Sequence, residues 1–193
     1  ERIVRLLTIC HLTNFLKEKS ISFLVANYIF YYFSCNIVQD LPNLKYMDLS
    51  WSQNLAATPN FTGIPKLQGL NLRGCENLVE IHLSIAYLKW LTHLILNGCK
   101  SVKSLPREVE MDSLIYLYLR GCSKLKKIPE FSGQMKNLSF LLLSGTSIEK
   151  LSSSIGCLVD LTILLLEDCK NLVGLPSEIC NLKSLTGLEV SGC

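Results

Sequence analysis

Nine cysteines and three histidines give this 193-residue sequence its widest scope for chemistry. A zinc site would draw on C-x-x-C pairs, and the sequence has none. Instead Cys75, Cys99, Cys122, Cys169 and Cys193 are separated by 24, 23, 47 and 24 residues. Thr146 fills the double interval, and Ser52 stands at the same position one step earlier. One residue per turn of a repeating structure stacks into a ladder, here Cys75, Cys99, Cys122, Thr146, Cys169 and Cys193. Cysteine, threonine and serine each offer a small side chain with a donor. Such a donor can satisfy backbone of the neighbouring turn that would otherwise be buried without a partner. Neighbouring strands lie about 4.8 Å apart, so distance alone permits disulfides between turns. A ladder that interchanges cysteine with serine and threonine points to reduced thiols and an intracellular compartment. Cys157 and Cys180 are expected as small buried apolar side chains on the opposite side of the turns.

The remaining candidates for catalysis are weak. His11, His82 and His93 show no catalytic or metal-ligand spacing. Neither a G-x-x-x-x-G-K-[ST] phosphate loop nor a G-x-S-x-G elbow occurs. Glu108 and Glu110 read as surface charges. No catalytic, cofactor-binding or metal-binding residue is assigned, and the chain reads as a binding module rather than an enzyme.

The elements that must carry the ladder follow from the leucines. Leu91, Leu94, Leu96 and Cys99 form one copy of a pattern. Leu67-Leu70-Leu72-Cys75, Leu114-Leu117-Leu119-Cys122 and Leu161-Leu164-Leu166-Cys169 repeat it. Variants begin at Leu44, Leu138 and Leu185. The leading leucines at 44, 67, 91, 114, 138, 161 and 185 alternate between intervals of 23 and 24. That period lies in the leucine-rich-repeat range of about 20–29 residues. The fold class is α/β: a solenoid with a short-stranded parallel sheet on the concave face. Irregular, 3₁₀ or short helical segments form the convex side, Ser177 to Asn181 among them. Each strand turns its leucines inward and its alternate residues to the concave face. One strand cannot bury its apolar side alone, so stacking neighbours supply the core.

Composition agrees. Hydrophobic residues make up 49% and charged residues 18%, too apolar for a disordered chain. The net charge of +3 is too small to indicate nucleic acid as a partner. The chain divides into an apolar segment, 1–40, without repeats, and an array of about seven repeats of 23–24 residues over 41–193. The array stops at the ninth position of its last repeat, Cys193, which reads as truncation inside a longer array. Within 1–40, Ile21 to Val38 is an uncharged run of 18 residues. A membrane span, an apolar cap and non-native sequence are its three readings. The sequons Asn60-Phe61-Thr62 and Asn137-Leu138-Ser139 give some support to an extracellular reading, although the second overlaps a core leucine.

The concave face is the usual binding surface of such a scaffold. Its predicted partner-binding positions begin with Tyr46, Asp48, Asn71, Arg73, His93 and Ile95. They continue with Tyr116, Tyr118, Arg120, Phe140, Leu142, Ile163, Leu165 and Glu167. The aromatic and aliphatic members from Tyr116 to Leu165 should form one apolar patch, flanked by Arg120 and Glu167. A protein partner or another part of the longer chain would cover it. Lys100, Lys103, Lys124, Lys126, Lys127, Lys150 and Lys170 fall in corresponding loops. They predict a basic edge, either a solvated ridge or a dock for an acidic domain.

The wording of the repeats is itself distinctive. Leu44-Lys45-Tyr46-Met47-Asp48-Leu49-Ser50, Thr58-Pro59-Asn60-Phe61 and Leu78-Val79-Glu80-Ile81-His82 resemble plant disease-resistance receptors. Gly98-Cys99-Lys100-Ser101-Val102-Lys103-Ser104-Leu105-Pro106 and Gly121-Cys122-Ser123-Lys124-Leu125 extend the likeness over 41–193. The chain looks like the leucine-rich-repeat region of the TIR-NBS-LRR class. The resemblance implies a sensor and autoinhibitory region in the cytoplasm or nucleus. It implies as partners a pathogen effector or a guarded host protein, together with the receptor's own domains. It implies that ADP or ATP belongs to a separate nucleotide-binding domain, so no cofactor is expected here. The alternatives are a membrane-anchored extracellular receptor fragment and a degenerate gene product. Residues 1–40 depart from the family pattern.

Overall fold

The computed structural model describes residues 41–133 and 135–193. The apolar segment 1–40, with its candidate span Ile21–Val38, lies outside the described residues. Among those described, no helix is long and apolar enough to cross a membrane.

The chain winds as a leucine-rich-repeat solenoid. Its strands are β1 (Tyr46–Asp48), β2 (Gly69–Asn71), β3 (His93–Ile95), β4 (Glu108–Val109), β5 (Tyr116–Tyr118), β6 (Glu130–Phe131), β7 (Phe140–Leu142), β8 (Ile163–Leu165) and β9 (Gly187–Glu189). Seven of these form one sheet in the order β1-β2-β3-β5-β7-β8-β9, every pair parallel. Its register aligns Met47, Leu70, Leu94, Leu117, Leu141, Leu164 and Leu188 in one column. All but Leu188 are buried, and so are Leu49, Leu72, Leu96, Leu119, Leu143 and Leu166 two positions on. Alternation along a strand of three residues is enough to fix the face, because the side-chain period is two.

The chain leaves the sheet through a left-handed residue at one register position. Glycine holds it in five repeats, Gly74, Gly98, Gly121, Gly145 and Gly192, with φ between 70 and 76°. A residue without Cβ adopts this conformation at no steric cost. Trp51 and Asp168 hold the same position with φ of 62° and 56°. The amide there donates to the neighbouring repeat, as Gly98 does to the Arg120 carbonyl at 2.8 Å.

The convex segments take two forms. Leu83–Tyr87, Ser153–Cys157 and Ser177–Asn181 are 3₁₀ helices, the last over the span expected from sequence. Their inward residues are three apart, Ile85 and Leu88, Ile155 and Leu158, Ile179 and Leu182, which matches three residues per turn. His82 and Ser152 cap two of them by accepting from the amides of Ser84 and Ser154. Where the inward residues are two apart, as Val109 and Met111, the segment is extended. There β4 pairs in parallel with β6.

Candidate binding face

Three columns of outward residues cross the seven-stranded sheet. The first runs Tyr46, Gly69, His93, Tyr116, Phe140, Ile163, Gly187. The second runs Asp48, Asn71, Ile95, Tyr118, Leu142, Leu165, Glu189. The third lies at Ser50, Arg73, Asn97, Arg120, Ser144, Glu167 and Ser191, where each strand gives way to its turn. The structure thus brings all fourteen predicted binding positions onto one face.

The middle of that face is apolar and already ordered. The His93 ring stacks on Tyr116 with centroids 4.5 Å apart, and Tyr116 stacks on Phe140 at 4.9 Å. Tyr118 meets Tyr116 edge-on at 5.9 Å. Stacked and T-shaped pairs at these separations are the favoured aromatic geometries. Tyr116, Tyr118, Phe140, Leu142, Ile163 and Leu165 are all half-buried, each covered by its neighbours and open on the outer side. Rings fixed by mutual packing lose little freedom when a partner lands on them. Partial burial also moves the titrating groups here. It lowers the His93 imidazole below its ordinary value, keeping it neutral near pH 7. Burial, with a smaller contribution from Tyr116, raises the Tyr118 phenol.

Polar groups surround this stripe, and they are pre-oriented. Asn71 Nδ2 donates to Asp48 Oδ2 at 3.1 Å, and the Ser50 amide donates to Asp48 Oδ1 at 2.8 Å. The Arg120 backbone amide donates to Asn97 Oδ1 at 3.0 Å, which fixes the Asn97 side chain. Ser144 Oγ donates to Glu167 Oε2 at 3.2 Å. Ser144 is buried, though its register is that of the face. Between Tyr46 and His93 lies a slot. Gly69 forms its floor, where a Cβ would stand 2.8 Å from the Tyr46 ring.

Sequence reasoning missed Trp51. It is 60% exposed, its ring covers Gly74, and the Arg73 guanidinium lies over it at 5.7 Å. The signal was available, because a tryptophan stands where the repeat pattern has glycine.

Beneath the face runs the thiol column. Cys75, Cys99, Cys122, Cys169 and Cys193 donate through Sγ to the carbonyls of Leu49, Leu72, Leu96, Leu143 and Leu166 at 3.0–3.2 Å. Thr146 Oγ1 lies 3.4 Å from Cys169 Sγ. All of the described cysteines are free thiols. Burial raises the Cys122 thiol to about 12 and moves Cys75, Cys99 and Cys169 in the same direction. A thiol held protonated is neither a nucleophile nor a metal ligand. Among the described residues, no group of three or more His, Cys, Asp or Glu is placed to hold a metal ion.

One expectation is corrected. Cys157 and Cys180 are exposed, not buried. Each lies on a 3₁₀ turn between two inward residues three apart, Cys157 between Ile155 and Leu158 and Cys180 between Ile179 and Leu182, and so falls outside the core-facing set. The lysines of the basic edge are all exposed. Lys100 pairs with Glu76 at 2.9 Å and Lys126 with Glu149 at 3.6 Å. Of the sequons, Asn60 is exposed, whereas Asn137 Nδ2 donates to the Asp112 carbonyl at 2.8 Å and Leu138 is in the core.

Comparison with known proteins places the chain among similar sequences. No protein-family model matches it. TMV resistance protein N of Nicotiana glutinosa is 49% identical over 66 residues, 34% of this chain and 6% of that protein. Disease resistance protein RML1B of Arabidopsis thaliana is 48% identical over 61 residues, 32% of this chain and 6% of that protein. Among solved structures, the TLR13–ssRNA13 complex aligns at 20% identity with a TM-score of 0.49, covering 80% of this chain and 27% of that one. The chain matches only a small part of the length of its curated relatives. In that part it resembles the leucine-rich-repeat region of TIR-NBS-LRR plant disease-resistance proteins.

Proposed function

We propose that this leucine-rich-repeat array, similar to that of plant disease-resistance proteins, is the protein-binding sensor of an intracellular immune receptor. One observation carries the reading. The concave face presents a pre-stacked apolar stripe, His93-Tyr116-Phe140 with Tyr118, Leu142, Ile163 and Leu165, inside a polar rim. Half-buried aromatics ringed by oriented polar groups are the anatomy of a protein interface. The partner is a protein, either a pathogen effector or a host protein under guard. Before it arrives, the receptor's own domains cover the same face and hold the molecule inactive, with the basic edge contributing to that contact. Capture then works by competition: the partner must bind the open state more tightly than the covered one. The compartment is the cytoplasm, with the nucleus as a second site, and free thiols in the ladder suit both. This reading involves no nucleic acid, and its alternative is a membrane-anchored receptor fragment.

The test is a pair of variants expressed in leaf tissue. Tyr118→Ala combined with Leu142→Asp disrupts the stripe. Val173→Asp changes a residue that is 92% exposed outside the face. Proteins that co-purify with the chain and with Val173→Asp, and are lost from the double variant, support the reading. The same set from all three sinks it.

A further inference from the structure

The solenoid carries a second concavity, away from the seven-stranded sheet. It is a groove of about 770 Å³ between the second halves of three successive repeats. Arg107, Lys127 and Lys150 all line it, one from each repeat. The backbone explains the convergence. Ser104 forms a parallel bridge with Lys127, and the Glu149 amide donates to the Lys126 carbonyl at 3.4 Å. Lys127 and Lys150 therefore sit side by side on neighbouring turns, at close to inter-strand spacing. Like charges so placed destabilise one another. Other lysines of this edge have local relief, Lys100 from Glu76 and Lys126 from Glu149. Lys127 and Lys150 make no salt bridge among the described residues. The Ser152 hydroxyl holds the Glu130 carboxyl below its ordinary value, and Arg107 lies close enough to help. The acidic residue of the groove, Glu130, already accepts from the Ser152 hydroxyl.

Three cations against one carboxylate leave a net charge of +2 at the mouth of a ligand-sized cavity. The donor set is specific. Arginine offers a planar fork to oxyanion oxygens, lysine a compact point charge. The hydroxyls of Ser104 and Ser153 add neutral donors at the same lining. Three turns span two inter-strand spacings, about 10 Å, which suits a compact ligand better than a folded domain. We propose that this groove is a binding site for a small ligand carrying two adjacent phosphoryl groups, held by Arg107, Lys127 and Lys150. The groove is separate from the concave face, so its failure would leave partner capture on that face untouched, although Lys127 and Lys150 also belong to the basic edge.

Inorganic pyrophosphate is the probe, titrated calorimetrically into the 193-residue chain at 0.15 M salt. Orthophosphate and a glutamate-rich peptide serve as the comparison ligands. Saturable pyrophosphate binding is expected, at least tenfold tighter than orthophosphate. The pair Lys127→Gln and Lys150→Gln should weaken it at least tenfold. The pair Lys124→Gln and Lys170→Gln, exposed lysines outside the groove, should leave it unchanged, with circular dichroism confirming that both variants fold. Absence of saturable binding, equal loss in both pairs, or tighter binding of orthophosphate or the acidic peptide would each overturn the proposal.

Discussion

Replacing Leu117 with alanine removes a side chain from the middle of the array. Leu117 is 2% exposed and pairs in register with Leu94 on one side and Leu141 on the other. Both neighbours are themselves buried and held by further strands, so the site cannot collapse. The cost should therefore include a cavity as well as lost transfer energy, about 3–5 kcal/mol. Leu188 occupies the same column at β9, where it is 44% exposed and has one strand neighbour. Its truncation removes roughly half as much buried surface and leaves no enclosed void. At about 0.8 kcal/mol per buried methylene, Leu188→Ala should cost about 1 kcal/mol. Urea unfolding of the chain and both variants, followed by circular dichroism at 222 nm, supplies the comparison. Equal costs at the two positions would refute the premise that each repeat draws its stability from both neighbours.

Four further outcomes follow from particular residues. Gly121 has φ of +74°, and a Cβ there would meet only ordinary contacts at 3.7 Å, so the penalty for substitution is conformational. Gly121→Val should cost about 2 kcal/mol and Gly121→Asn distinctly less, as thermal unfolding would show. The Cys122 thiol, raised by burial from 9.0 to about 12, stays protonated in the fold while the unfolded chain ionises. Stability is thus full below pH 9 and falls above it, by about 1.4 kcal/mol per pH unit for this group. Urea midpoints at pH 8.5, 9.5 and 10.5 should drop less steeply in Cys122→Thr. Alkylation mapped by mass spectrometry should label exposed Cys157 and Cys180 well before buried Cys99 and Cys122. In an NMR titration His93 should titrate below 6.5, and Tyr116→Ala should move it back towards that value.

The part of the fold that depends on period was legible in the residues. Leucines at intervals of 23 and 24 place every strand of the large sheet, and the strict alternation at Tyr116–Tyr118 or Ile163–Leu165 assigns their faces. The convex segments were less legible, because their form rests on contacts with the next repeat. Val109 pairs with Phe131 as a strand, whereas Ile155 closes a 3₁₀ turn capped by Ser152. Cysteine's general tendency to be buried misled at Cys157, although the spacing of Ile155 and Leu158 already marked the inward positions. For the candidate face, the residues were legible but their cohesion was not. That His93, Tyr116 and Phe140 form one stack follows from register across β3, β5 and β7, which no single repeat contains. The same holds for the basic edge. Only the stacked turns show that Lys126 has a carboxylate partner and that Lys127 and Lys150 share a groove.

On the proposed reading, a protein partner lands on the aromatic and aliphatic stripe. A photo-crosslinking residue placed singly at Tyr118, Leu142 or, as the control, Val173 tests it in leaf tissue challenged with a pathogen. Discrete cross-linked protein adducts are expected from positions 118 and 142 and not from position 173. Adducts of the same proteins from all three positions, or from 173 alone, would contradict it.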